Sequence, residues 1–156
     1  MDKIPVDIAT AERLELGGDE LVVLASCAQT DGALFAATVR MRPGGGAPVM
    51  HRHAPGEVYH VLEGEFVFYV DDGDRVRRFT AGPGQVVPLA GGTPHTIRNE
   101  SAVDAVAFVV HAPGAPMEGF SRAAAALAAA GEPSMDAVLA IAEEHGIDLL
   151  GPVPVG

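Results

Sequence analysis

His51 and His53, separated by one residue and followed four residues later by Glu57, are the side chains in this sequence best suited to shared chemistry. Alternate residues of a β-strand face the same way, so the two imidazoles would stand on one side, about 6.5–7 Å apart along the chain. Ala54-Pro55-Gly56 reads as a turn, which lets Glu57 open the next strand and bring its carboxylate towards the same point. A fourth candidate, His95, follows the turn sequence Gly91-Gly92-Thr93-Pro94 at the start of a later strand. Imidazole and carboxylate are the usual ligands of zinc, iron, manganese, cobalt and nickel, and none of these ions requires thiolate. Cys27 is the one cysteine, which excludes an internal disulfide and any multi-cysteine zinc site.

Positioning these groups falls to short strands. From about residue 20 to 112 the chain runs through brief apolar segments broken by turn residues, with no sustained helical period, which is the pattern of an all-β sandwich or barrel. Strands are expected at 21–28, 34–42, 49–53, 57–64, 65–71, 74–80, 85–90, 95–100 and 104–112. Asp72-Gly73 is the strongest hairpin signal, because glycine supplies the positive φ a tight turn needs. After Pro113 and Pro116 the pattern changes. Helices are expected at 117–130, ending at Gly131, and at 134–145, capped by Ser134 and stopped by Gly146. The chain thus divides into an N-terminal arm (1–19), a β-domain (20–112) and a helical tail (113–156) packed on the barrel or on a partner, its last residues extended.

The histidine motif resembles that of the cupin superfamily. Gly45, five residues, His51, Arg52, His53, three residues, Glu57, six residues and Gly64 fit that family's first motif. Gly92, two residues, His95, three residues and Asn99 fit the end of its second motif, and Gly84 stands where that motif begins. One position departs: Ala90 occupies the place of the family's usual proline. The resemblance implies a double-stranded β-helix, a small barrel of two antiparallel sheets, with one divalent metal (Fe, Mn, Ni, Co or Zn) held by His51, His53, Glu57 and His95. The tail is more distantly similar to those of small quercetin dioxygenase-like cupins. Four ligands on an ion that prefers six would leave two positions for substrate or dioxygen. On this reading Glu57 could double as a proton acceptor, and Tyr59, on the same strand parity, would line the pocket. His60 would face away, and His111, His145 and Cys27 read as structural.

Three functions compete. The first is a dioxygenase acting on a small chelating, enolic or aromatic substrate; the second is a non-redox isomerase, cyclase or decarboxylase; the third is a metal-dependent small-ligand binder without turnover. Ten Lys plus Arg against twenty-one Asp plus Glu, a formal charge of −11, argue against nucleic acid, whose phosphates need basic residues to displace counterions. Acids at the N-terminus and the lack of a long apolar run point to a cytoplasmic protein with no membrane partner. Abundant aromatic and β-branched residues on both strand parities lead to an expected homodimer burying one sheet face.

Overall fold

Eleven strands and three helices follow one another through residues 4–154, which the structure, a computed structural model, describes. The strands pair antiparallel into two sheets facing each other. One holds, in spatial order, β1 (Arg13–Glu15), β2 (Asp19–Ala25), β3 (Phe35–Met41), β10 (Ala105–Ala112), β5 (Gly56–Glu63) and β8 (Val86–Leu89). The other holds β11 (Asp148–Pro152), β4 (Val49–Arg52), β9 (His95–Arg98), β6 (Phe66–Asp71) and β7 (Val76–Ala81). The all-β, jelly-roll-like barrel expected from the alternation is therefore present. Every anticipated strand overlaps an observed one, with ends shifted by one to three residues at several, and the Asp72-Gly73 turn joins β6 to β7, with the Asp72 carboxylate accepting from the Asp74 and Arg75 amides.

Two elements arise that sequence pattern alone passed over. The arm contributes β1, which pairs with β2 and buries Leu14. The apolar run at 21–28 ends early, because Ser26 and Gln29 form a reciprocal capping box and start a one-turn helix, α1 (Cys27–Thr30). Cys27 accordingly opens a helix instead of lying in a strand. Burial and the neighbouring Glu118 push its thiol up to about 11, which keeps it protonated and inert. The tail folds as α2 (Ala115–Ala130), α3 (Met135–Glu144) and β11; β11 pairs with β4 and so joins the sheet that carries His51. His145 closes α3 and packs on Gly119 of α2, where an added Cβ would come within 2.4 Å of the imidazole.

Inward residues from both sheets fill the barrel. Phe35, Val61, Phe66 and Phe68 are fully buried beside Ala37, Val39, Val109 and Ile97. Asn99, also fully buried, donates to the carbonyls of Met41 (2.8 Å) and Val103 (2.7 Å), tying the end of β9 to the end of β3. Gly46 sits where that junction leaves no room: its φ is +93°, and a Cβ would meet the Ile97 carbonyl at 2.1 Å. No helix among the described residues is long and apolar enough to cross a membrane.

Candidate metal centre

Four strands from the two sheets bring the polar groups together inside the barrel. On one side β4 and β9 place His51 opposite His95, with ring centroids 4.6 Å apart. His53 follows β4 at the turn, its ring centroid 5.3 Å from that of His95 and 6.0 Å from that of His51. On the other side Glu57 on β5 pairs with His111 on β10. His53, Glu57, His95 and His111 are all buried, and His51 is half-buried.

Backbone carbonyls fix the imidazoles. Nδ1 of His53 faces the Pro55 carbonyl at 2.9 Å and Nδ1 of His95 faces that of Thr93 at 2.7 Å, while Nδ1 of His51 lies 3.5 Å from the Val49 carbonyl. Donation of the Nδ1 proton leaves each Nε2 as a lone pair pointing inward, the arrangement that orients metal-binding histidines. The inward atoms crowd one another. Glu57 Oε1 lies 2.6 Å from His95 Nε2, and Oε2 lies 3.4 Å from His53 Nε2 and 2.6 Å from His111 Nε2. Close as they are, Glu57 Oε1 and the Nε2 atoms of His53, His95 and His111 find no well-aligned hydrogen bond among the described residues. Buried donors that converge without satisfying one another suit a central cation, and two overlapping triads, His51/His53/His95 and His53/Glu57/His111, have ligand atoms mutually within 4.8 Å.

Electrostatics favour a neutral His51 and an ionised Glu57, and draw a proton towards His95. Burial and the facing His95 lower His51 to about 4, so its ring stays neutral. For Glu57, burial alone would favour the neutral acid, but contacts with His111, His53 and His95 outweigh it and hold the carboxyl well below its usual range. Burial likewise opposes charge on His95, and the Glu57 carboxylate beside it raises its pKa nonetheless.

Of the sequence-predicted residues, His51, His53, Glu57 and His95 all meet here, and Tyr59 lines the adjoining cavity with its ring edge-on to His111, 6.4 Å between centroids. Burial, with the nearby carboxylates of Glu57 and Asp19, holds the Tyr59 phenol well above its usual range. His60 turns outward opposite Phe108. Two further residues join them. His111, read from the sequence as structural, shares inward parity with Ala105, Ala107 and Val109, and the pairing of β10 with β5 carries it to Glu57, so that reading is corrected. Asp19 shares inward parity with Leu21 and Val23, yet it lies just outside the segment expected to be strand.

The cavity has a volume of about 160 Å³. His51, His111 and Tyr59 stand where it meets the histidine cluster, apolar residues such as Leu21, Val39 and Ile97 form its walls, and Met117 and Phe120 of α2 complete the lining.

Comparison with known proteins agrees with this architecture. The chain matches the Cupin domain family over residues 37–111. A protein of known structure from Thermus thermophilus shares 26% identity over 70% of this chain and 96% of its own, with a TM-score of 0.56. A sugar phosphate isomerase of the cupin superfamily from Silicibacter pomeroyi shares 21% over 69% and 74%, with a TM-score of 0.58. The polyketide cyclase RemF from Streptomyces resistomycificus shares 20% over 72% and 80%, with a TM-score of 0.59. No curated protein matches. With its two facing sheets, its histidine and glycine motifs and the family match over most of the barrel, the chain carries a cupin domain at residues 37–111.

Proposed function

We propose that the protein is a metal-dependent enzyme in which His51, His53, Glu57 and His95 hold one divalent ion, and that it dioxygenates a small chelating substrate of enolic or aromatic type. The observation that carries the metal assignment is the set of buried, inward lone pairs that find no hydrogen-bond partner among the described residues. An ion there would supply positive charge to a chelated enolate or carboxylate and, if redox-active, a route for electrons to dioxygen. The chain's own residues do the rest. His111 holds Glu57, Tyr59 keeps its proton for a substrate oxygen, and the apolar walls with α2 exclude water. A cavity of about 160 Å³ is smaller than the roughly 300–1,000 Å³ typical of drug-sized ligands, so a diketone or catechol fits this reading better than a flavonol. Oxygen-electrode assays of protein loaded in turn with iron, manganese, nickel and cobalt should show one dioxygen consumed per substrate for one of these classes. Absence of uptake with all of them overturns the dioxygenase reading.

A second reading, a non-redox isomerase, cyclase or decarboxylase, draws support from the protic groups in the cavity, Tyr59 and Asp19, and from fold neighbours that include an isomerase and a cyclase. Turnover that persists without oxygen and with zinc in the site would select it. Metal-dependent ligand binding with no turnover under either condition would leave the binder.

The working unit we propose is a homodimer formed through the outer face of the six-stranded sheet. Val58, Leu62 and Val86 are 39%, 43% and 54% exposed there, with Phe108 and Val110 beside them, and the helices make their main strand contacts with β1, β3 and β11, away from β5, β8 and β10. Light scattering should give a mass near twice 16.0 kDa, whereas a mass near 16 kDa at micromolar concentration removes the dimer.

A further inference from the structure

β2 opens with an acid at a position where a barrel strand needs an apolar residue. Asp19 pairs with Met41 across β3 on the same inward parity as Leu21 against Val39 and Val23 against Ala37. Its Oδ1 is shielded from solvent and without a hydrogen-bond partner, and the residue is part of the lining of the cavity that His51, Tyr59 and His111 share. No salt bridge to it forms among the described residues: Arg42 turns instead to Glu15 and the Gly17 carbonyl. The packing makes room for this carboxylate, since a Cβ on Gly45 would come within 2.6 Å of Oδ1. A half-buried carboxylate with one oxygen left unsatisfied in an otherwise apolar lining lowers stability, so its presence in a pocket points to use.

We propose that Asp19 is the substrate-positioning acceptor at the end of the cavity away from the metal centre, where it binds a hydroxyl or amine donor on a small, otherwise apolar, single-ring molecule. This deepens the reading of the cavity as a reaction chamber and rests on it. Gly46, beside Asp19, bridges to Arg98, three residues along β9 from His95, or about 10 Å of strand. Allowing for ligand bonds at one end and a hydrogen bond at the other, roughly one six-membered ring fits between. The charges that face Asp19 are the Arg42 and Arg98 guanidinia, the Gly46 amide and the phenol of Tyr59. Burial outweighs the amide and the two arginines and raises the carboxyl to about 6. A carboxyl whose folded pKa lies above its unfolded value of 3.8 binds more protons when folded, so its penalty grows as pH rises from about 4 to 6 and is complete above that.

The test uses phenol, which has a donor, and fluorobenzene, which lacks one; neither needs a metal. NMR titration of the full chain should show phenol binding at least tenfold tighter than fluorobenzene. Asp19→Leu should erase that preference, and Asp19→Asn, which keeps a neutral acceptor, should leave it intermediate. Metal-free Asp19→Asn should also melt about 5 °C above the parent at pH 7.5, the gap closing towards pH 4. A preference that is absent from the parent, or that survives in Asp19→Leu, overturns the proposal. A lower melting temperature for Asp19→Asn overturns it too, because the carboxylate would then be holding the fold. Cobalt uptake measured on the same samples reports on the metal centre separately, so failure of that reading is distinguished from failure of this one.

Discussion

Replacing His53 with alanine is expected to leave the purified protein with less than about a tenth of the metal bound by the parent, while His60→Ala keeps its full complement. Loss of a residue that merely orients a ligand weakens metal binding by roughly 10–100-fold, and loss of the ligand itself does no less. His53 is buried, its Nδ1 is committed to the Pro55 carbonyl, and its Nε2 belongs to both potential ligand triads, so no neighbour can replace it. His60 faces outward on the same strand as Glu57 and touches none of these atoms. Elemental analysis of both variants checks the pair of outcomes, and unchanged metal in His53→Ala sinks the assignment.

The same site links metal, pH and stability. Ligand imidazoles must be neutral, so affinity should decline as pH falls below about 6.5. His51 behaves distinctively, since its folded pKa of about 4 lies below the unfolded 6.5. Between these values the unfolded chain binds more protons, and stability falls as pH drops from 6.5 towards 4. A chelator should therefore lower the melting temperature at pH 7.5 by removing the ion's stabilisation.

The second large effect is expected at His111. In metal-free protein, His111→Ala should cost about 3–5 kcal/mol, the scale on which a buried charge left without a partner destabilises a fold, because the ionised Glu57 loses a contact at 2.6 Å in a site that water scarcely reaches. At roughly 2–4 °C per kcal/mol for a domain near this size, the melting temperature should drop by about 6–20 °C. With an ion in place, the positive charge at the centre compensates the carboxylate, and the drop should shrink to the few degrees expected from lost packing against Phe35. Melting curves of parent and variant with and without saturating cobalt measure the difference. Equal losses in both states would mean that His111 stabilises the barrel by packing and has no special relation to Glu57.

The structure explains why the first four site residues were legible and the other two were not. His51, His53 and Glu57 lie within seven residues, so strand alternation and one turn suffice to bring them near each other. His95 carries a local turn signal and falls into the same motif. His111 lies 54 residues beyond Glu57, and nothing in its own neighbourhood distinguishes it from a residue at a strand end; the register Glu57↔His111 is set by where β10 inserts between β3 and β5. Asp19 escaped for a different reason. Hydrophobicity marks a strand by its apolar residues, so a strand that opens on an inward acid is read as starting two residues late.

Much the same division holds for the fold. Alternation, turn glycines and helix caps are interactions within a few residues, and they determined by themselves the β-rich domain, the order of strands β2 to β10, the two tail helices and three of the site histidines. β1, with three residues and one buried leucine, has too little pattern to register before it pairs with β2. Tertiary structure decided which strands lie side by side, that β11 extends the sheet carrying His51, and that α2 lines the cavity. It also decided that a fourth imidazole faces Glu57 and that the Asp19 carboxylate keeps one oxygen unsatisfied beside an apolar cavity. Those outcomes depend on contacts between residues distant in the chain, whose free energy is gained only once the two sheets face each other and exclude water.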